Sequence, residues 1–113
     1  TRKPSSKRCE AGGGRVMAEY VLSERARRDL LEIGEYSRKT WSEDQAVKYL
    51  RMLFTQFIQI SKQPHIGRQY DAVRPGLRAF HCGKHLIFYR IQTKDTIRIV
   101  RILHERMDFH RHL

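Results

Sequence analysis

Residues 77–103, LRAFHCGKHLIFYRIQTKDTIRIVRIL, gather their apolar side chains into three short runs separated by turn residues. Leu77–Phe80 predicts a strand, Gly83-Lys84 fits a tight hairpin turn, and His85–Ile91 predicts a second strand rich in aromatic and β-branched residues. Gln92-Thr93-Lys94-Asp95 is a polar turn, and Thr96–Leu103 predicts a third strand. Connections this short favour antiparallel meander pairing. Within the third strand, alternation places Ile97, Ile99, Arg101 and Leu103 on one face and Arg98, Val100 and Ile102 on the other. Both faces are then mostly apolar, so something should cover the second one. A partner chain is the natural candidate; a twisted sheet whose ends curl over the core is the plainer one.

Upstream of this stretch the apolar period is helical. Ser42-Glu43-Asp44-Gln45 has the form of a capping box with two acidic residues in the first turn. Ala46, Leu50, Leu53, Phe57 and Ile60 follow on one stripe, with Val47, Phe54 and Ile58 beside it, and Pro64 implies an end near Lys62. Ser23 reads as the cap of an earlier helix with Ala26, Leu30 and Ile33 on its apolar stripe, widened by Leu31. Arg25, Arg27, Arg28, Asp29, Glu32 and Glu35 form its wet face, and Gly34 weakens it unless a neighbour packs closely there. Thr40-Trp41 marks the corner between the helices, and Ala18–Leu22 predicts a short strand before them. The expected class is α+β, ordered β-α-α-β-β-β, with a helical hairpin on a small antiparallel sheet. Leu30, Ile33, Leu50, Leu53 and Phe57 are read as structural.

The 113 residues allow one domain, and no apolar run reaches the ~18–20 residues of a membrane span. The net charge is +11. Residues 1–16 carry five Lys/Arg against one Glu, with Gly12-Gly13-Gly14 and no apolar period, so +4 falls there and +7 on the rest. They read as a disordered basic leader or an upstream extension, with Met17 as the natural start and 17–113 as the domain; a nucleic-acid-gripping arm is the other reading. Cys9 and Cys82 form neither a disulfide framework nor a zinc spacing, which favours a reducing cytoplasm. His81 and His85 flank a turn, so they do not present the aligned pair that a zinc site on a helix would. Neither a phosphate-binding glycine pattern nor a nucleophile elbow is present. The best catalytic constellation is a metal-independent nuclease, with Arg78, Arg98 or Arg101 on the scissile phosphate and His104 and Tyr89 moving protons. The plainer reading makes these residues ion-paired, solvated or backbone-bonded.

Arg74-Pro75-Gly76-Leu77-Arg78, Gly83–Arg90 and Arg101-Ile102-Leu103-His104-Glu105-Arg106-Met107-Asp108, with the Pro64-x-x-Gly67-Arg68 step, occur in the order and spacing of one family. Over residues 17–113 the chain resembles the ParE toxins of the RelE/ParE superfamily. The resemblance implies a type II toxin–antitoxin module in which a ParD-like antitoxin folds on the toxin as a hetero-oligomer. It implies DNA gyrase as the target and a non-catalytic gyrase inhibitor rather than an enzyme, with no cofactor, metal, membrane or small-molecule substrate. The RelE branch offers the alternative, a ribosome-dependent messenger-RNA endonuclease that would use Arg78, Arg101 and His104, and His110 and His112 near the terminus keep that reading open. A decayed toxin that only binds its antitoxin is a third. By resemblance and position, Arg78, Arg101, His104, Arg106, Met107 and Asp108 are expected at the target surface. Leu86, Phe88, Tyr89, Ile97 and Ile99 are expected either in the core or against the antitoxin. An acidic, disordered antitoxin segment suits a +7 domain.

Overall fold

The computed structural model describes residues 19–108, 111 and 113. Met17 and the segment 1–16 lie outside them, as do His110 and His112. The elements are β1 (Glu19–Leu22), α1 (Glu24–Thr40), α2 (Glu43–Lys62), β2 (Arg68–Gln69), β3 (Leu77–Cys82), β4 (His85–Ile91) and β5 (Thr96–His104). The expected order holds, with β2 as a two-residue addition. Both caps form: the Ser23 Oγ accepts from Ala26 N at 3.0 Å and the Ser42 Oγ from Gln45 N at 3.1 Å. The helices pack against each other at Gly34, where a Cβ would lie 3.2 Å from Leu50 Cδ1.

The sheet order is β1-β5-β4-β3-β2. The three long strands make the antiparallel meander, but β1 joins β5 in parallel, so the sheet is mixed. Position, rather than strand propensity, sets this pairing. Ser23 follows β1 directly and its N–H donates to Ile99 O at 3.0 Å, so the entry to α1 is tied to the middle of β5.

The second correction is a β-bulge in β5. Phe88 pairs with Arg101 and Tyr89 with Ile99, leaving Val100 as the extra residue. Strict alternation therefore fails at that point. Ile102 joins Ile97 and Ile99 in the core beneath the helices, and Leu103 passes to the other face. The bulge frees backbone groups that must find partners, and α1 supplies them. The Ser23 Oγ donates to Val100 O at 2.7 Å, and Asp29 accepts from Ile102 N at 3.0 Å. Asp29 also accepts from Arg101 Nε at 2.8 Å and Nη2 at 3.0 Å. Read as part of the wet face, Asp29 is in fact buried with Arg101. Leu31, expected to widen the apolar stripe, is instead exposed.

The main core lies between helices and sheet, built on Leu30, Ile33, Leu53, Phe57, Ile60, Ile87 and Tyr89. A second cluster, Leu77, Ala79, Phe88 and Leu103, lies on the far face of the sheet. The chain covers it with its own Tyr70, Val73 and Leu113, and the Tyr70 ring meets Phe88 edge-on at 5.8 Å. The doubly apolar strand thus reflects a bulge and a covering loop; no partner is needed to bury that cluster. Tyr89 anchors the start of the covering segment. Its hydroxyl donates to Pro64 O at 2.7 Å and accepts from Gly67 N at 2.8 Å. A Cβ at Gly67 would lie 2.7 Å from the Tyr89 ring, so this approach requires glycine.

Candidate functional site

A groove of about 1310 Å³ opens where the helical corner meets the end of β5. One wall is a stripe on α1 running through Arg25, Glu32 and Tyr36, and the opposite wall is Gln45, Lys48 and Met52 on α2, with Trp41 at the corner. The floor is Ile33, Tyr49, His85 and Ile102, and residues 104–107 form the lip. These stripes lie beside the two core stripes, because residues spaced by three or four share a helix face. Trp41 is 69% exposed and Tyr36 66% exposed, and Met52 and Met107 also keep open surface. Large apolar groups left in water within one concavity are the hallmark of a binding site rather than of a finished core.

The rim is basic. Arg25, Lys48, Lys84 and Arg106 line the groove. Of its acids, Asp29 is occupied by Arg101, and Glu105 accepts from or pairs with His81 Nε2 at 2.8 Å. That contact holds the Glu105 carboxyl below its ordinary range. Glu32 remains on the α1 wall.

The floor holds a polar relay. The Tyr49 hydroxyl accepts from Lys84 N at 2.9 Å and shares a 2.6 Å hydrogen bond with His85 Nδ1. Gly83, at φ +62°, turns the hairpin that brings Lys84 and His85 here. The His85 and His104 rings meet edge-on at 5.4 Å. Burial, reinforced by the neighbouring His104, pulls the His85 pKa down from 6.5 to about 4. Below pH 6.5 the unfolded chain therefore binds a proton at His85 that the folded chain does not take up until about pH 4. This contribution to stability is complete above pH 6.5 and falls as the pH drops through that window. Urea midpoints at pH 7.5, 6, 5 and 4.5 should show the decline, and His85→Gln should flatten it.

The groove gathers some of the residues picked out in sequence and leaves others apart. Arg101, His104, Arg106 and Met107 all line it. Arg101 does so through its bond to Asp29, and the hydrogen bond to that carboxylate raises its pKa. His104 Nδ1 accepts from Arg106 N at 3.1 Å. Asp108 follows just beyond the lip, where its carbonyl accepts from Arg111 N at 3.0 Å. Arg78 lies elsewhere, with one guanidinium nitrogen donating to Gly67 O at 2.8 Å and His65 O at 3.2 Å. Phe88, Tyr89, Ile97 and Ile99 are fully buried, so they serve as core, and Leu86 is half-buried on the far face. The nuclease constellation is thus divided among three places: Tyr89 and Arg78 at the loop 64–67, Arg98 exposed on the far side, and Arg101, locked to Asp29, in the groove with His104. His81 and His85 lie on opposite faces of the hairpin.

Sequence reasoning missed Tyr36, Lys48, Tyr49 and Met52 as site residues, and took Trp41 only as a corner. The available signal was a tryptophan at a helix junction flanked by a second stripe, 45-48-52, offset from the core stripe.

Residues 20–109 match the family model described as ParE toxin of type II toxin-antitoxin system, parDE. The chain is 42% identical over 98 residues to Toxin ParE1 of Mycobacterium tuberculosis, covering 87% of this chain and all of that relative. It is 36% identical over 97 residues to Toxin ParE1 of Caulobacter vibrioides, covering 86% of this chain and 99% of the relative. In fold it resembles a chain of the chromosomal ParDE TA system from P. aeruginosa, with a TM-score of 0.66 at 19% identity, over 79% of this chain and 96% of that one. The expected motifs, the observed element order and these matches agree, and the chain belongs to the ParE toxin family of type II toxin–antitoxin systems.

Proposed function

We propose that this chain is a cytoplasmic toxin that inhibits DNA gyrase and is neutralised by a ParD-like antitoxin seated in the helical-corner groove. Family membership carries the toxin reading. The groove supports the antitoxin reading: it offers Trp41, Tyr36, Met52 and Met107 as apolar anchors inside a rim of Arg25, Lys48, Lys84 and Arg106. An acidic segment that folds on binding needs both features. Charge steers the encounter and excludes wrong partners, while buried apolar side chains supply most of the affinity.

The division of the nuclease residues favours a stoichiometric inhibitor over a catalyst. General acid–base transfer requires the proton donor within about 2.6–3.2 Å of the reacting atom, directly or through one water. Tyr89 is buried with both hydroxyl functions used, on a different part of the sheet from His104.

The test is a gyrase assay on supercoiled DNA. Purified toxin should increase the linear product released from the gyrase–DNA complex by protein denaturant, and equimolar antitoxin should abolish the increase. No cleavage product and full supercoiling activity would remove gyrase as the target. New messenger-RNA cuts in primer extension on translating ribosomes, lost in His104→Ala, would establish the endonuclease instead. Normal growth on expression without antitoxin would identify a toxin that only binds its partner.

A further inference from the structure

We infer that the sheet face turned away from the helices binds a nucleic-acid phosphodiester backbone through a cross-strand arginine pair, Arg90 and Arg98. The two residues are directly opposite in the β4–β5 register. Tyr89 and Ile91, like Ile97 and Ile99, pack on the helix side, so alternation places both arginines on the far face. Both are exposed. Their row across the sheet runs Leu77, Arg90, Arg98, Val21. Arg68 adds a third cation to this face: it pairs with Ala79 and lies 5.8 Å from the Tyr70 ring centre. Glu19, two residues before Val21 and opposite Thr96, is the acid of β1 on the same face. Among the described residues neither Arg90 nor Arg98 forms an ion pair.

Like charges directly opposite across two strands destabilise a sheet. An anion between the two guanidinium groups removes that repulsion and forms charge-assisted, bidentate hydrogen bonds. The occupant follows from what this face lacks. A peptide draws its affinity from apolar anchors, and here Leu77, Phe88 and Leu103 are already buried under the chain's own Tyr70 and Val73, which leaves Val21 on β1 as the open apolar side chain of that row. A phosphodiester backbone asks only for cations on an open surface. The groove serves the antitoxin and this face serves nucleic acid, on different sides of the sheet. The ligand is nucleic acid alone, so the inference stands or falls separately from the gyrase reading.

The experiment is fluorescence anisotropy of the full chain with a labelled duplex DNA of arbitrary sequence, and with a single-stranded RNA of equal length, across a salt series. Binding should weaken steeply with salt, and the tighter ligand identifies which nucleic acid is held. Arg90→Gln/Arg98→Gln should reduce the steepness of log K against log salt on duplex DNA by about 1.8, at ~0.9 for each phosphate no longer neutralised. Each single variant should lower it by about half of that. Arg27→Gln/Arg28→Gln on α1 should leave it unchanged. Residues 1–16 are common to every variant, so their charge cancels in the comparison. The double variant should melt no lower than the parent, since it removes two exposed, mutually repelling charges. No binding at low salt, or an unchanged slope in both the double and the single variants, overturns the inference. So does a double variant that loses antitoxin binding and keeps its DNA slope, because the face would then hold a peptide.

Discussion

Asp29→Ala should lower the stability of the folded chain by about 3–5 kcal/mol, the typical cost of breaking one side of a buried ion pair. Three hydrogen bonds depend on this carboxylate: two from the Arg101 guanidinium and one from the Ile102 amide. Its loss removes the carboxylate that two guanidinium N–H groups and one buried amide share, in a bulge whose geometry was built around it. Domains of this size have only about 5–15 kcal/mol in total, so the variant should be partly unfolded at physiological temperature. Removing both charges should be milder. Asp29→Leu/Arg101→Met trades the pair for apolar volume, which is often close to neutral, although the Ile102 amide still lacks an acceptor. Urea denaturation of Asp29→Leu, Arg101→Met and the double variant closes the cycle. A double variant as unstable as the sum of the singles would show that the pair is not coupled.

The second large effect is on binding. Trp41→Ala should weaken the complex with the ParD-like antitoxin by about 2–4 kcal/mol, roughly 30- to 1,000-fold, as for a truncated interface hot spot. Trp41 stands at the helical corner with most of its surface in water, so its removal costs the free toxin little. A partner that covers the groove must bury the indole, and the alanine variant forfeits that area. Leu31, equally exposed on α1 but absent from the groove lining, supplies the control. Calorimetric titration of toxin with antitoxin should show a large loss for Trp41→Ala and none for Leu31→Ala. Equal affinities for Trp41→Ala and the parent would move the antitoxin away from this groove.

Much of the fold was legible because its signals are local. The Ser42-x-x-Gln45 cap, the stripe from Ala46 to Ile60 and the Gly83-Lys84 turn each involve residues within a few turns of one another, and each formed as expected. The site was less legible. Arg101, His104, Arg106 and Met107, grouped by family resemblance as a target surface, line one groove, which is read as the antitoxin seat. Phe88, Tyr89, Ile97 and Ile99 could not be assigned between core and surface, because alternation states which residues share a face and not what covers it. Trp41 and Met52 escaped because an exposed apolar residue on a helix is ordinary by itself. It becomes a site only when a second wall faces it.

By itself the sequence determined that two amphipathic helices precede a three-stranded meander, and that their motifs are those of the ParE family. Periodicity and turn chemistry are properties of neighbouring residues, so they can be read without knowing which elements meet. Only the tertiary structure decided the parallel placement of β1, the burial of Asp29 and the bulge at Val100. Ser23 and Asp29 reach across more than seventy residues to hold that bulge. A one-residue insertion in a strand sends every later side chain to the opposite face, and its partners lie in another element. That single shift sends Ile102 to the core and Leu103 to the far face, and with Asp29 it leaves Arg101 held in the wall of the groove.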